Sequence, residues 1–153
     1  MPLHIFISFI TNLLLTYYNE FVIIVLDERG IIQMFHIEFY QDSHGREPMK
    51  EYIEELHAKA TTSKDSRINF TKIMAYIDVL EKYGTRVGEP VTKHLDGEIW
   101  ELRPLDNRIL YAYWKDNTFI LLHHFIKKSN KTPVRDLEQA KRNLKDYLER
   151  NGE

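Results

Sequence analysis

Residues 98–133 read EIWELRPLDNRILYAYWKDNTFILLHHFIKKSNKTP, three β-rich runs separated by two short polar breaks. The runs are roughly Glu98 to Arg103, Asn107 to Lys115 and Thr118 to Lys127, each dense in aromatic and branched side chains that suit a pleated backbone. Pro104-Leu105-Asp106-Asn107 makes a four-residue loop, and Asp116-Asn117 suits a two-residue primed turn. The three strands are therefore expected to run antiparallel as a meander. That turn sets Lys115 opposite Thr118, and counting outward puts Tyr111 opposite Leu122, Leu110 opposite His123 and Arg108 opposite Phe125. Side chains alternate between faces, so Trp100, Leu102, Ile109, Tyr111, Tyr113, Ile120, Leu122, His124 and Ile126 are expected on one apolar face. Glu101, Arg103, Arg108, Leu110, His123, Phe125 and Lys127 take the other. The adjacent histidines part company: His124 turns toward the core, and His123 joins the basic residues.

The chain on either side supplies what covers the apolar face. Phe35 to Tyr40 reads as a first strand, closed by the turn residues Asp42-Ser43-His44-Gly45. A helix follows with Pro48 near its first turn and Met49, Tyr52, Ile53, Leu56 and Ala60 along one side. A second begins near Asp65 or Ser66, turns Phe70, Ile73, Ile77 and Leu80 inward, and stops at Gly84. Downstream, Thr132 is expected to cap a last helix with Pro133 at its first position and Val134, Leu137, Ala140, Leu144 and Leu148 at helical spacing. The implied fold is α+β, a small and mainly antiparallel sheet packed against an N-terminal helical hairpin, with a C-terminal helix.

That domain spans residues 34–153, and residues 1–33 read as an apolar extension, with Met34 a candidate start. Leu3 to Leu26 is interrupted by Asn12 and Asn19-Glu20 and has no Lys or Arg before Arg29, which fits neither an export signal nor a membrane span. The chain has no cysteine, which excludes disulfides, thiolate zinc sites and thiol nucleophiles and is compatible with a reducing cytoplasm. Its net charge is −2, so contact with nucleic acid has to come from a local cluster rather than from bulk positive charge.

The strand register supplies such a cluster. Arg103 and Arg108 flank the loop as cross-strand neighbours, a like-charge pairing that costs up to ~1 kcal/mol and so invites an anion. Glu101 neutralises part of it, while Lys127, Lys128 and Lys131 approach from the next strand end. Guanidinium groups grip phosphate oxygens through paired hydrogen bonds, and the Phe125 ring is a surface on which a nucleobase stacks. His123 beside them suits RNA cleavage: a base takes the 2′-hydroxyl proton, arginines stabilise the phosphorane, and an acid protonates the departing oxygen, with no metal or cofactor required. Lys93 and His94, read as preceding the sheet, reach the edge of this site as further RNA contacts.

In order, Glu101-Leu102-Arg103, Arg108 with Tyr111, and Leu121 through Pro133 form ELR, R-x-x-Y and LLHxF-x-KK-x-x-KTP. This pattern resembles the RelE/ParE toxin superfamily, in particular its HigB-like, phage-derived branch, from about Met34 to the C-terminus. The resemblance implies a cytoplasmic bacterial toxin that cuts mRNA, often on the ribosome, until a cognate antitoxin binds it. Such an antitoxin is expected to be a helix-turn-helix protein, and operator DNA is contacted only through it. The resemblance carries phosphate binding onto Arg108 and Arg103, and RNA contact or protonation onto Lys127 and Lys128; His123 stands at the branch's recurring histidine. Two departures limit the transfer. Glu101 replaces a lysine of RelE proper, and the tyrosine near the RelE C-terminus has no counterpart. Two other readings share this sequence pattern: a ParE-like inhibitor of DNA gyrase, and an inert phage-derived interaction module.

Overall fold

A computed structural model describes residues 34–152; the expected extension over residues 1–33 lies outside the described residues. The elements are β1 (His36–Phe39), α1 (Pro48–Lys59), α2 (Lys64–Tyr83), a 3-10 turn (Gly84–Val87), β2 (Thr92–Asp96), β3 (Ile99–Leu102), β4 (Asn107–Trp114), β5 (Thr118–Ile126) and α3 (Val134–Asn151). They build one five-stranded sheet in the order β1-β5-β4-β3-β2. β1 runs parallel to β5 and the other pairs are antiparallel, so the fold is α+β as expected. β1 accompanies β5 only as far as Leu121, whose carbonyl accepts from the Tyr40 amide; beyond that point, among the described residues, only β4 pairs with β5.

Local chemistry explains the helices. Pro48 opens α1, where its missing N–H costs nothing, and Met49, Ile53 and Leu56 are buried at helical spacing. The Ser63 hydroxyl caps α2 by accepting from the Ser66 amide at 3.2 Å, and Ile73, Ile77 and Leu80 line the buried side. α2 ends at Gly84, whose φ is +60°; a Cβ there would stand 2.9 Å from the Phe35 ring. α3 begins one residue later than expected, with Pro133 in the capping position. Thr132 does not cap it: its hydroxyl donates to Glu101 Oε2 at 2.7 Å.

The sheet departs from the sequence expectations in its edge, its faces and its register. β2 is a full strand of the sheet, at its edge, and its exposed Lys93 and His94 made it read as a loop. Both faces of the sheet are covered. One core joins the α1–α2 hairpin to Leu102, Ile109, Tyr111, Phe119 and Leu121, and a second joins Leu110, Ala112, Ile120 and Leu122 to Ala140, Leu144 and Tyr147 of α3. The register also shifts. The turn is Lys115–Asn117, so Trp114 faces Thr118 and Tyr111 faces Leu121, while Leu110 still faces His123; Leu122 is the extra residue of a bulge.

Ile120 and Leu122 therefore belong to the α3 face, not to the hairpin face. Apolar residues fill both faces here, so the hydrophobic pattern did not reveal the slip. Past the bulge the count recovers: Arg108 faces Phe125, and His123 and His124 take opposite sides. Tyr113 is exposed, contrary to its expected place in the core, and meets the Phe119 ring edge-on, while Val134 is exposed and Asp136 and Tyr147 are buried on α3 instead. No helix among the described residues is long and apolar enough to cross a membrane.

Candidate active site

The β3–β4 connection turns at Leu105, whose φ is +56°, and closes with the Asn107 amide donating to the Pro104 carbonyl at 3.0 Å. Leu102 faces Ile109, so one further step brings Arg103 opposite Arg108. Their mutual repulsion is relieved from within. Glu101 is 3 % exposed, and its Oε1 lies 3.4 Å from Arg103 Nε and 3.6 Å from Arg108 Nε.

The two arginines differ in access. Arg108 is buried, and its Nη1 donates to the carbonyls of Leu105 at 2.8 Å and Asn107 at 2.7 Å, which makes it part of the loop's framework. Burial lowers its pKa, opposed by the Glu101 charge. Arg103 keeps a side chain 25 % exposed, reaches the Glu89 carboxylate at 3.7 Å, and holds a buried Nε that has no hydrogen bond. Arg103 is thus the more accessible of the two guanidiniums.

His123 projects on the same side, diagonal to Arg108. Its Nε2–H donates to Asp136 Oδ1 at 2.8 Å, and its ring lies 6.3 Å, centroid to centroid, from a nearly parallel Phe125. Asp136 is a residue that sequence reasoning passed over. It sits in the first turn of α3, where an acidic side chain reads as a partner for the helix dipole. Its spacing held the signal: Asp136 stands four residues before Ala140 and eight before Leu144, on the stripe that α3 buries. An acid on a buried stripe needs a partner, and His123 is that partner.

His124 occupies the other face. Its ring stacks on Tyr52 at 4.0 Å, and its Nε2–H donates to Asn107 Oδ1 at 2.9 Å. The same oxygen accepts from the Tyr52 hydroxyl at 3.0 Å, and Asn107 Nδ2 donates to Asn69 Oδ1 at 2.7 Å. Burial, and then the neighbouring His123, push the His124 pKa down to about 4. In the unfolded chain it takes a proton near pH 6.5, so between pH 6.5 and 4 the unfolded state binds a proton that the native state refuses. Stability is therefore expected to fall with pH across that window, by roughly 2 kcal/mol more in the wild type than in His124→Gln between pH 7 and pH 4.5. Urea unfolding of both proteins at the two pH values measures it; equal losses would assign the acid sensitivity to other groups.

The remaining candidates lie around this end of the sheet. Lys127 stands 3.9 Å from Asp106, and Lys128 and Lys131 are exposed in the connection to α3. Lys93 pairs with Glu101 across β2 and β3 and so shares the His123 side, at its edge. His94 does not. It alternates to the opposite face, donates from Nε2 to the Gly97 carbonyl at 2.8 Å and meets the Trp100 ring edge-on, away from His123. Among the described residues no group of three or more His, Asp or Glu side chains is arranged to hold a metal ion.

This end of the sheet thus carries an imidazole held by a carboxylate beside an aromatic ring, and a partly exposed guanidinium, with Lys127, Lys128 and Lys131 following at the end of β5 and in the connection to α3. A search of curated proteins gave no match. A family model for phage-derived Gp49-like proteins matches residues 49–145, more than half of the chain and the whole of the segment from Glu101 to Asp136. The chain accordingly belongs to the Gp49-like (DUF891) family of phage-derived proteins, within the broad RelE/HigB-like grouping.

Proposed function

We propose that this protein is the toxin of a toxin–antitoxin pair and an endoribonuclease that cleaves mRNA. The observation that carries the reading is the 2.8 Å bond from His123 to Asp136 at the end of the sheet where Arg103 is accessible. With Nε2–H directed to the carboxylate, Nδ1 is the atom that takes the 2′-hydroxyl proton, and Asp136 fixes the ring and stabilises the imidazolium so formed. The 2′-oxygen bonds to phosphorus, the bond to the 5′-oxygen breaks, and the products are a 2′,3′-cyclic phosphate and a 5′-hydroxyl. Arg103 compensates the charge that grows on the phosphoryl oxygens, and the ammonium of Lys127 or Lys128 gives the leaving oxygen its proton. Phe125 stacks a base, while Lys131 and Lys93 meet the backbone. These side chains supply the whole acid–base cycle without a metal.

Neutralisation in the cell falls to a cognate antitoxin, a helix-turn-helix protein that also contacts the operator, and the ribosome is where the toxin meets message in the cytoplasm. Incubating purified protein with mRNA, alone and with translating ribosomes, and mapping the new 5′ ends tests the reading. Intact RNA together with inhibited gyrase would sink it in favour of a gyrase poison, and no growth arrest on expression alone would favour an inert module. Arg103→Ala is expected to weaken RNA affinity about tenfold, or ~1.4 kcal/mol, as well as slowing turnover. Fluorescence anisotropy with a labelled RNA checks this, and unchanged affinity would remove the role given to Arg103.

A further inference from the structure

Glu101 touches both halves of the site. Its Oε1 lies 3.4 Å from Arg103 Nε and 3.6 Å from Arg108 Nε, and its Oε2 accepts the Thr132 hydroxyl at 2.7 Å, two residues before α3 begins. α3 in turn carries Asp136, which holds His123. Glu101 itself is buried, at 3 % exposure, so a substrate does not reach it. A buried carboxylate is retained at a cost in desolvation, and here it offsets two guanidinium charges with one. Between them Glu101, buried, and Glu89, exposed and 3.7 Å from Arg103, balance the two guanidinium charges, and the helix that presents the imidazole's partner is anchored to the Glu101 side chain.

Building on the nuclease reading, we propose that Glu101 is a positioning residue: it holds Arg103 in register with the start of α3, and it weakens ground-state binding of the RNA phosphate by competing for that guanidinium. Two opposite effects follow from removing its charge while keeping its shape. Arg103 becomes free to pair fully with substrate, so binding tightens. The arginine then loses its fixed place relative to His123, so the chemical step slows.

Glu101→Gln tests this in two independent measurements. The first needs no catalysis: binding of a 2′-O-methyl oligoribonucleotide, which cannot be cleaved, is followed against salt. The variant is expected to bind several-fold more tightly than wild type, with a slope of log affinity against log salt steeper by about 0.7, the increment for one more phosphate contact on a single strand. The second is cleavage of unmodified RNA, for which KM is expected to fall several-fold and kcat to fall tenfold or more. Thr132→Val cuts only the link to α3 and is expected to lower kcat while leaving the salt slope unchanged; this variant keeps the question open to test if Glu101→Gln fails to fold. A variant in which affinity and kcat drop together, or neither moves, overturns the positioning role. Wild-type protein that cleaves no RNA under any condition overturns the nuclease reading instead, and the binding measurement still decides whether Glu101 competes for Arg103.

Discussion

His123→Gln is expected to lower RNA cleavage by ~10²–10⁴-fold, the usual worth of a positioned general base, while His124→Gln leaves the rate within a few-fold. Glutamine fills a similar volume and can still donate to Asp136, but it has no nitrogen able to take a proton at neutral pH. The neighbouring substitution is benign for the chemistry because His124 is stacked on Tyr52 and bonded to Asn107 on the far side of the sheet. Initial rates of cleavage for the two variants, each checked for folding by thermal melting, measure the contrast. Equal losses would mean that the strand, not the imidazole, is what both changes damage.

The second large effect is on stability. Arg108→Ala is expected to cost roughly 3 kcal/mol, at the lower end for breaking a buried ion pair because the Arg108–Glu101 separation is a loose 3.6 Å. The carbonyls of Leu105 and Asn107 lose their shared donor as well, inside a loop already turned at positive φ. A fall in Tm of about 10 °C is the expected reading in a thermal melt. Lys in its place keeps the charge but has a single nitrogen, which cannot serve the two carbonyls that Nη1 bonds and also face Glu101 as Nε does, so it recovers only part of the loss. A melt unchanged from wild type would return Arg108 to the role of a free phosphate ligand. If the melt falls as expected, loss of cleavage on Arg108→Ala is weak evidence of catalysis, and Arg103 is the more telling arginine to change.

Much of this was legible in the residues. The three β-rich runs between Ile99 and Ile126, Pro48 at the head of α1 and Gly84 behind α2 each state a local preference that the fold satisfies. Three things were not legible, for physical reasons. The edge strand carrying Lys93 and His94 lacks an apolar stripe because one flank meets water. A bulge at Leu122 leaves no trace in a run that is apolar on both faces. The second helix layer, α3, was seen as a helix, but its burial of Asp136 could be inferred only by asking what balances an acid on an apolar stripe. In the site, separation of the two histidines and the counterion role of Glu101 follow from register alone, whereas the unequal access of Arg103 and Arg108 depends on how the loop folds back.

β5 is interior at its root, flanked by β1 and β4 as far as Leu121, and a border strand at its tip, where His123 and Phe125 stand. The tip inherits its stiffness from a root clamped on two sides, yet among the described residues no strand pairs with its other flank. On the nuclease reading proposed above, that pairing of a clamped root with a border tip is what would let a long substrate enter and leave from the side without unzipping the sheet.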